Sequence, residues 1–341
     1  MASGGGGEAG MVYLLPMRYV SMPVGGPEVS VLGLGCAAML GRTGRRESVA
    51  ALTAAWDAGI TFYDTARSYG YGESEGLLGE FLAGERRQRA VICTKFGILP
   101  AERNWKQRVK PLAQAAVRLL PALRGMAQRQ AAGQIVAGAF SVELLQRSLE
   151  TSLRALRMEF VDMLLLHAAP LSVLAQDDLM AALGRLVESG KVRMAGISGA
   201  QEVVAASFAQ RPAALTTAQF AMNAQQLDFA DTTEKAAREG WFLVANHPFG
   251  GPAGVSACRQ KVEAMRQDAA LPAELREKLT PDAQLMPEVV LNAILSGTGV
   301  HAVIPAMMQP KHLAGNVRAI ESCRFSAAEI ALLRSALRAS K

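Results

Sequence analysis

The sequence predicts an α/β protein, a single-domain (β/α)8 TIM barrel, and three observations carry that expectation. Eight short apolar runs alternate with longer amphipathic stretches, the order of a closed ring of parallel strands wrapped by helices. The length, 341 residues with half of them hydrophobic and 19% charged, suits one such barrel with inserts and excludes a disordered chain. Asp64, Lys95 and His167 fall just after the second, third and fourth runs, where a barrel of this kind assembles its active site.

The elements follow in order. Val29–Leu34 is the first strand, and Ser48–Ala58 a helix that stops at Gly59. Ile60–Tyr63 is the second strand and Glu73–Leu82 its helix, closed by Gly84. Ala90–Thr94 is the third. Ser141 caps a helix running to Leu156, and Phe160–Leu166 is the fourth strand. Asp177–Ser189, Glu202–Ala209 and Asp231–Glu239 are helices, each following a strand or preceding the next. Val192–Ile197, Thr216–Phe220 and Trp241–Asn246 are strands five to seven. Pro287–Leu295, the eighth strand Val300–Ile304 and the helix Pro310–Ile320 complete the ring. Residues 1–24 read as a flexible tail and lead-in, with Met1–Gly10 rich in glycine. Residues 25–341 read as the barrel, with an insert at 99–140 and a long connection at 252–286.

Composition narrows the class further. The 36 Lys and Arg exceed the 30 Asp and Glu by six. The excess lies between Pro100 and Ile135, where Arg103, Lys106, Arg108, Lys110, Arg118, Arg124 and Arg129 face one acid, Glu102, so the rest of the chain is neutral. Apolar residues recur between these charges at helical spacing, which describes an amphipathic insert packed on the barrel. A lid that lends charge to an anionic ligand is the functional alternative, and membrane-surface binding a weaker one. Few aromatics interleave with the basic residues, which argues against nucleic-acid binding. Four scattered cysteines suit free thiols in a reducing cytoplasm, and the histidines lack metal-ligand spacing, so no metal site is expected. No run reaches the length of a membrane span.

Tyr69 lies five residues beyond Asp64 in the same loop, and with Asp64, Lys95 and His167 it completes a chemical set of four on one rim. A phenol, pKa about 10, is a weak acid at neutral pH. An adjacent ammonium favours its ionised form, a carboxylate holds the ammonium, and an imidazole can donate a hydrogen bond to a carbonyl oxygen. The set suits protonation of a carbonyl oxygen while hydride reaches carbon. It lacks the second carboxylate of a glycosidase and an activated Ser or Cys. Each residue singly has a structural explanation: a helix cap, a surface side chain, a core histidine.

The stretch Phe62-Tyr-Asp-Thr-Ala-Arg-Ser-Tyr-Gly-Tyr-Gly-Glu-Ser-Glu-Gly-Leu-Leu-Gly79 resembles the second-strand signature of the aldo-keto reductase family. Thr94-Lys95-Phe96-Gly97, Asp162–His167, Ala195–Ser198 and Ala218–Asn223 resemble its later motifs, and the resemblance spans about Val31 to Ile320. It implies a reductase of aldehydes or ketones, or the reverse oxidation of an alcohol or sugar. Tyr69 would be the general acid, Lys95 and Asp64 its tuning pair, and His167 the carbonyl orienter. NADP(H) is the expected cofactor, with NAD(H) open and neither metal nor flavin involved. Ser198 and Gln219 would hold the nicotinamide carboxamide. Gly35 and Cys36 would form the barrel mouth, and Pro248, Phe249, Gly250 and Gly251 the pyrophosphate channel. Pro305, Ala306, Met307, Lys311, His312 and Asn316 would lie along the adenosine end. Gly199, Ala306 and Gly315 depart from the usual residues, and no complete 2′-phosphate clamp is present.

Two other readings stand beside this one. A non-catalytic or regulatory protein could bind the cofactor on the same barrel. The glycines of Gly33-Leu-Gly-Cys-Ala-Ala38 could instead be a doubly wound dinucleotide fingerprint, but helical periodicity does not begin there and Asp57 falls inside a helix. The partner is expected to be a small carbonyl or alcohol substrate, with oligomeric state left open.

Overall fold

Strand parity decides which side chains enter this molecule's centre. In the computed structural model, which describes residues 17–100 and 140–339, eight strands lie side by side and all parallel. A short antiparallel hairpin precedes them, β1 (Tyr19–Val20) with β2 (Val29–Ser30). The barrel strands are β3 (Leu34–Gly35), β4 (Phe62–Asp64), β5 (Val91–Phe96) and β6 (Val161–His167). They continue as β7 (Val192–Gly199), β8 (Leu215–Ala221), β9 (Phe242–Asn246) and β10 (Ala302–Ile304). The spatial order follows the sequence order, and a bridge between Leu32 and Val303 brings the first and last strands together.

Because side chains alternate along a strand, the odd positions of β5, Val91 and Cys93, point inward and Ile92 points outward. Phe62, Val91, Cys93, Met163, Leu165, Met194, Phe242, Val244, Ala302 and Ile304 fill the interior as one buried cluster. Met22 and Val29 of the hairpin region join it. A second cluster, between strands and helices, holds Ile92, Leu164, Leu166, Ala195, Leu243 and the buried faces of the helices. The same parity carries Asp64, Lys95 and His167 inward, one step beyond the apolar filling.

The expected strand Val29–Leu34 is split: its first two residues pair in the hairpin and its last residue opens β3. The hairpin also begins inside the stretch read as a lead-in. Within the long connection lie two helices, Gly251–Gln267 and Ala273–Lys278, and Ala327–Ala339 forms a further one. The cap at Ser141 is present, its Oγ accepting from Leu144 N at 3.2 Å. Met1–Gly10 and the basic cluster from Arg103 to Arg129 lie outside the described residues. No described helix is long and apolar enough to cross a membrane.

The opposite end of the barrel is tied by Asp162, whose side chain is fully buried. Its carboxylate accepts from Ile92 N at 2.8 Å and Arg193 Nε at 3.0 Å, with Arg87 Nη1 at 3.4 Å. Three neighbouring strands are thereby clasped around one charge.

Candidate active site

Register brings the strand ends to one height. Gly35 lies beside Asp64, Lys95 beside Leu165, His167 beside Ser198, and Ser198 beside Gln219. All of these are at the carboxyl ends of the strands.

Lys95 is 1% exposed and its ammonium donates to Asp64 Oδ1 at 2.6 Å and to the Thr65 carbonyl at 3.0 Å. Its third direction leads to Tyr69 Oη at 3.5 Å. Burial by itself would lower the Lys95 pKa, but the Asp64 carboxylate outweighs it, with Tyr69 and Cys93 adding to the rise, so the ammonium is held charged. For Tyr69, burial raises the phenol pKa, Lys95 pulls it down, and burial wins. The neighbouring ammonium alone would have shifted the phenol the other way. The phenol therefore stays protonated at neutral pH while lying against a cation, the state a proton donor needs.

His167 meets the Tyr69 ring edge-on, with centroids 5.9 Å apart. Burial, helped by the Lys95 charge, pushes its pKa down to about 3, so the imidazole is neutral. Its Nδ1 is buried and has no hydrogen-bond partner among the described residues. A buried nitrogen left unpaired fits a site that a ligand completes.

Gln219 is the hub of the remaining polar groups. Its Nε2 donates to Asp64 Oδ1 at 2.7 Å. Its Oε1 accepts from Ser198 Oγ at 2.8 Å and Asn246 Nδ2 at 3.2 Å. A carboxylate can only accept here, so the amide nitrogen must face Asp64. Asn246 Oδ1 in turn lies 2.9 Å from His247 Nδ1.

These groups border a cavity of about 410 Å³ lined by Gly35, Arg42, Asp64, Tyr69, Gln219, Asn246, His247, Pro248, Phe249, Gly250, Gly251 and Ala306 among others. Gly250 adopts φ +62°, and a Cβ on it would come within 3.2 Å of Gly254 and 3.3 Å of Asn223. A Cβ on Gly35 would lie 3.0 Å from Ile304. The helix Gly251–Gln267 starts at this wall, with Pro252 in its first turn.

Nine of the expected site residues line this cavity, Lys95, His167 and Ser198 contact its lining through Tyr69 and Gln219, and others lie elsewhere. Cys36 turns its thiol to the Leu34 carbonyl and is buried, while its backbone N–H donates to the Asp64 carbonyl at 2.8 Å. Met307 buries its side chain in the outer core. Lys311 and His312 are exposed and Asn316 is buried, on the helix Pro310–Glu321 beyond the cavity wall. Arg42, Asn246 and His247, outside the expected set, also line the cavity. Asn246 and His247 stand at the end of the seventh strand, so the rule that found Lys95 and His167 applies to them too. Arg42 lies in a loop, where no periodic signal exists. The glycines at 33 and 35 serve barrel closure rather than a doubly wound fold: a Cβ on Gly33 would come within 2.7 Å of the Phe62 ring.

The rim of this parallel barrel thus holds a buried ammonium between a carboxylate and a phenol. The sequence model of the Aldo/keto reductase family matches residues 31–338, and the chain belongs to that family. Its members are oxidoreductases acting on carbonyl and alcohol groups. The chain is 30% identical over 188 residues to "Probable aldo-keto reductase 1" of Glycine max, covering 54% of this chain and 45% of that one. It is 47% identical over 77 residues to pyridoxal 4-dehydrogenase of Microbacterium luteolum, 22% of each. These matches span about half or less of the relatives' lengths. In fold it is similar to the holo form of aldo-keto reductase AKR11C1 from Bacillus halodurans, with a TM-score of 0.69 at 18% identity, covering 95% of this chain and 97% of that one.

Proposed function

We propose that the protein reduces an aldehyde or ketone with a nicotinamide cofactor, Tyr69 supplying the proton, and catalyses the reverse oxidation when conditions favour it. The observation that carries this reading is the placement of Lys95 Nζ, 2.6 Å from Asp64 and 3.5 Å from the Tyr69 hydroxyl.

The residues present fit such a cofactor. Ser198 oxygen keeps lone pairs free and Gln219 Nε2 keeps a second N–H, a donor and acceptor pair suited to a carboxamide. The close-packed Gly250 turn, the helix start at Gly251 and Arg42 form a wall suited to an anion. The cofactor would supply or accept the hydride at the carbonyl carbon.

The chain's own residues handle the oxygen. His167, neutral, donates one N–H to the carbonyl oxygen and orients it. Tyr69 gives its proton to that oxygen as negative charge develops, and Lys95 stabilises the phenolate left behind. Asp64 keeps the ammonium charged and in position. In the oxidative direction the phenolate takes the proton from the alcohol.

Names of relatives suggest the substrate and cofactor. Pyridoxal 4-dehydrogenase, 6-dehydroglucose reductase of Novosphingobium aromaticivorans and D-threo-aldose 1-dehydrogenase of a Pseudomonas species support polar aldehydes and sugars as the first panel. Aldo-keto reductase yakc [NADP(+)] of Schizosaccharomyces pombe supports NADP(H) as the first cofactor to try. A cytoplasmic location fits this chemistry.

Fluorescence titration with NADPH and NADH, followed by a carbonyl and alcohol panel, tests the reading. Turnover that Tyr69→Phe lowers by roughly 10²- to 10⁴-fold supports the acid role. Full activity in that variant overturns it. Tight cofactor binding with no turnover across the panel supports the non-catalytic alternative.

A further inference from the structure

We propose that Glu75 is a positioning residue that sets the approach of Tyr69 to Lys95, an inference that rests on Tyr69 being the proton donor. Glu75 lies outside the cavity wall and is fully buried in the helix Ser74–Phe81. A buried carboxylate is costly unless each oxygen is satisfied. Here each oxygen goes to a different arm of the site. Oε1 accepts from the Thr94 hydroxyl at 2.6 Å. Oε2 accepts from Arg67 Nη1 at 3.0 Å.

The two partners are the informative part. Thr94 immediately precedes Lys95 on β5, and parity sends its side chain outward when Lys95 points inward. Arg67 is two residues before Tyr69 in the loop after β4. One carboxylate therefore clasps the strand carrying the ammonium to the loop carrying the phenol. Nearby bonds close the same seam: Thr65 Oγ1 with Ser74 Oγ at 3.2 Å, Thr65 N to the Cys93 carbonyl at 2.8 Å, and Arg67 N to the Lys95 carbonyl at 3.4 Å.

The loop needs such a clasp. Directly after Tyr69, Gly70 and Tyr71 both have positive φ, +57° and +58°. For Tyr71 that conformation is unfavourable, so the turn persists only where surrounding bonds impose it. Gly70 also packs where a Cβ would come within 2.5 Å of the Met39 carbonyl. Releasing Glu75 frees the start of this turn, and Tyr69 Oη moves relative to Lys95 Nζ while the cavity wall at Gln219 and Gly250 stays in place.

A double-mutant cycle tests this. Glu75→Gln keeps an acceptor for Thr94 and removes the anion for Arg67. Thr94→Val removes only the hydroxyl and is close to isosteric, so it remains informative if Glu75→Gln folds poorly. Each is expected to lower kcat by about 10-fold or more, with KM and cofactor Kd changed less than about 3-fold, because proton transfer falls off steeply with misplacement. In a Tyr69→Phe background the same changes are expected to have no further effect on the residual rate. An equal fall with and without the Tyr69 hydroxyl overturns the proposal, as does a folded Thr94→Val variant at wild-type kcat. Wild-type kcat in Tyr69→Phe alone overturns the acid assignment, and the clasp's catalytic role with it.

Discussion

Gln219 Nε2 donates to Asp64 Oδ1, the same oxygen that receives the Lys95 ammonium. These residues are 155 positions apart, on β8 and β4. The amide proposed to hold the cofactor carboxamide thus touches the carboxylate that holds the buried lysine. On the proposed reading, cofactor binding and the charge state of the site are linked through one oxygen.

Gln219→Leu is therefore expected to act twice. Cofactor Kd rises about 10-fold, since one lost hydrogen bond is worth about 1–1.5 kcal/mol. The alkaline limb of the rate profile also moves. Ser198→Ala, which does not touch Asp64, raises Kd without moving that limb. Fluorescence titration and pH–rate curves on both variants check the difference.

The phenol of Tyr69 is held above its ordinary value of about 10 by burial, in spite of Lys95. Reduction, which needs the protonated phenol, is expected to be flat in kcat from pH 6 to 9 as far as Tyr69 is concerned and to fall only in the alkaline range. Oxidation, which needs the phenolate, rises with pH through neutrality. Steady-state kcat in both directions across pH 5–11 measures this.

His167 has a folded pKa of about 3 against 6.5 unfolded. Between these values the unfolded chain binds the extra proton, so stability falls as pH falls through that window. One such group contributes a slope of up to about 1.4 kcal/mol per pH unit. His167→Asn is expected to flatten the acid limb of a denaturant-midpoint curve measured from pH 7 to 4. An unchanged slope would show that His167 is not the group being titrated.

Asp162 anchors the opposite end of the barrel with Arg87, Arg193 and the Ile92 N–H. Asp162→Ala leaves two arginines and a buried N–H without their acceptor, and a loss of about 3–5 kcal/mol is expected. Chemical denaturation reads it. Because the proposed active rim lies at the other end of the strands, KM in folded protein is expected to stay near wild type.

Gly79 packs against the C-terminus of the helix Val142–Leu156, where a Cβ would come within 2.4 Å of the Leu156 carbonyl. Gly79→Ala forces the two helices apart and is expected to cost about 1–3 kcal/mol, read as a lower Tm.

The order of strands and helices, the rim on which Asp64, Tyr69, Lys95 and His167 meet, and the family are legible in the residue order. These follow from local periodicity and from a spaced motif, both of which a linear string records. The helix Gly251–Gln267 escaped because Pro252 and Gly254 interrupt its start and its buried stripe is narrow, Cys258, Val262 and Met265. The hairpin escaped because each of its strands has two residues. Packing in three dimensions sets the rest: Gln219 shares Asp64 with Lys95, Arg42, Asn246 and His247 border the cavity, and burial outweighs Lys95 at Tyr69. Each depends on distance through space or on exclusion of water, and neither quantity is carried by residue order.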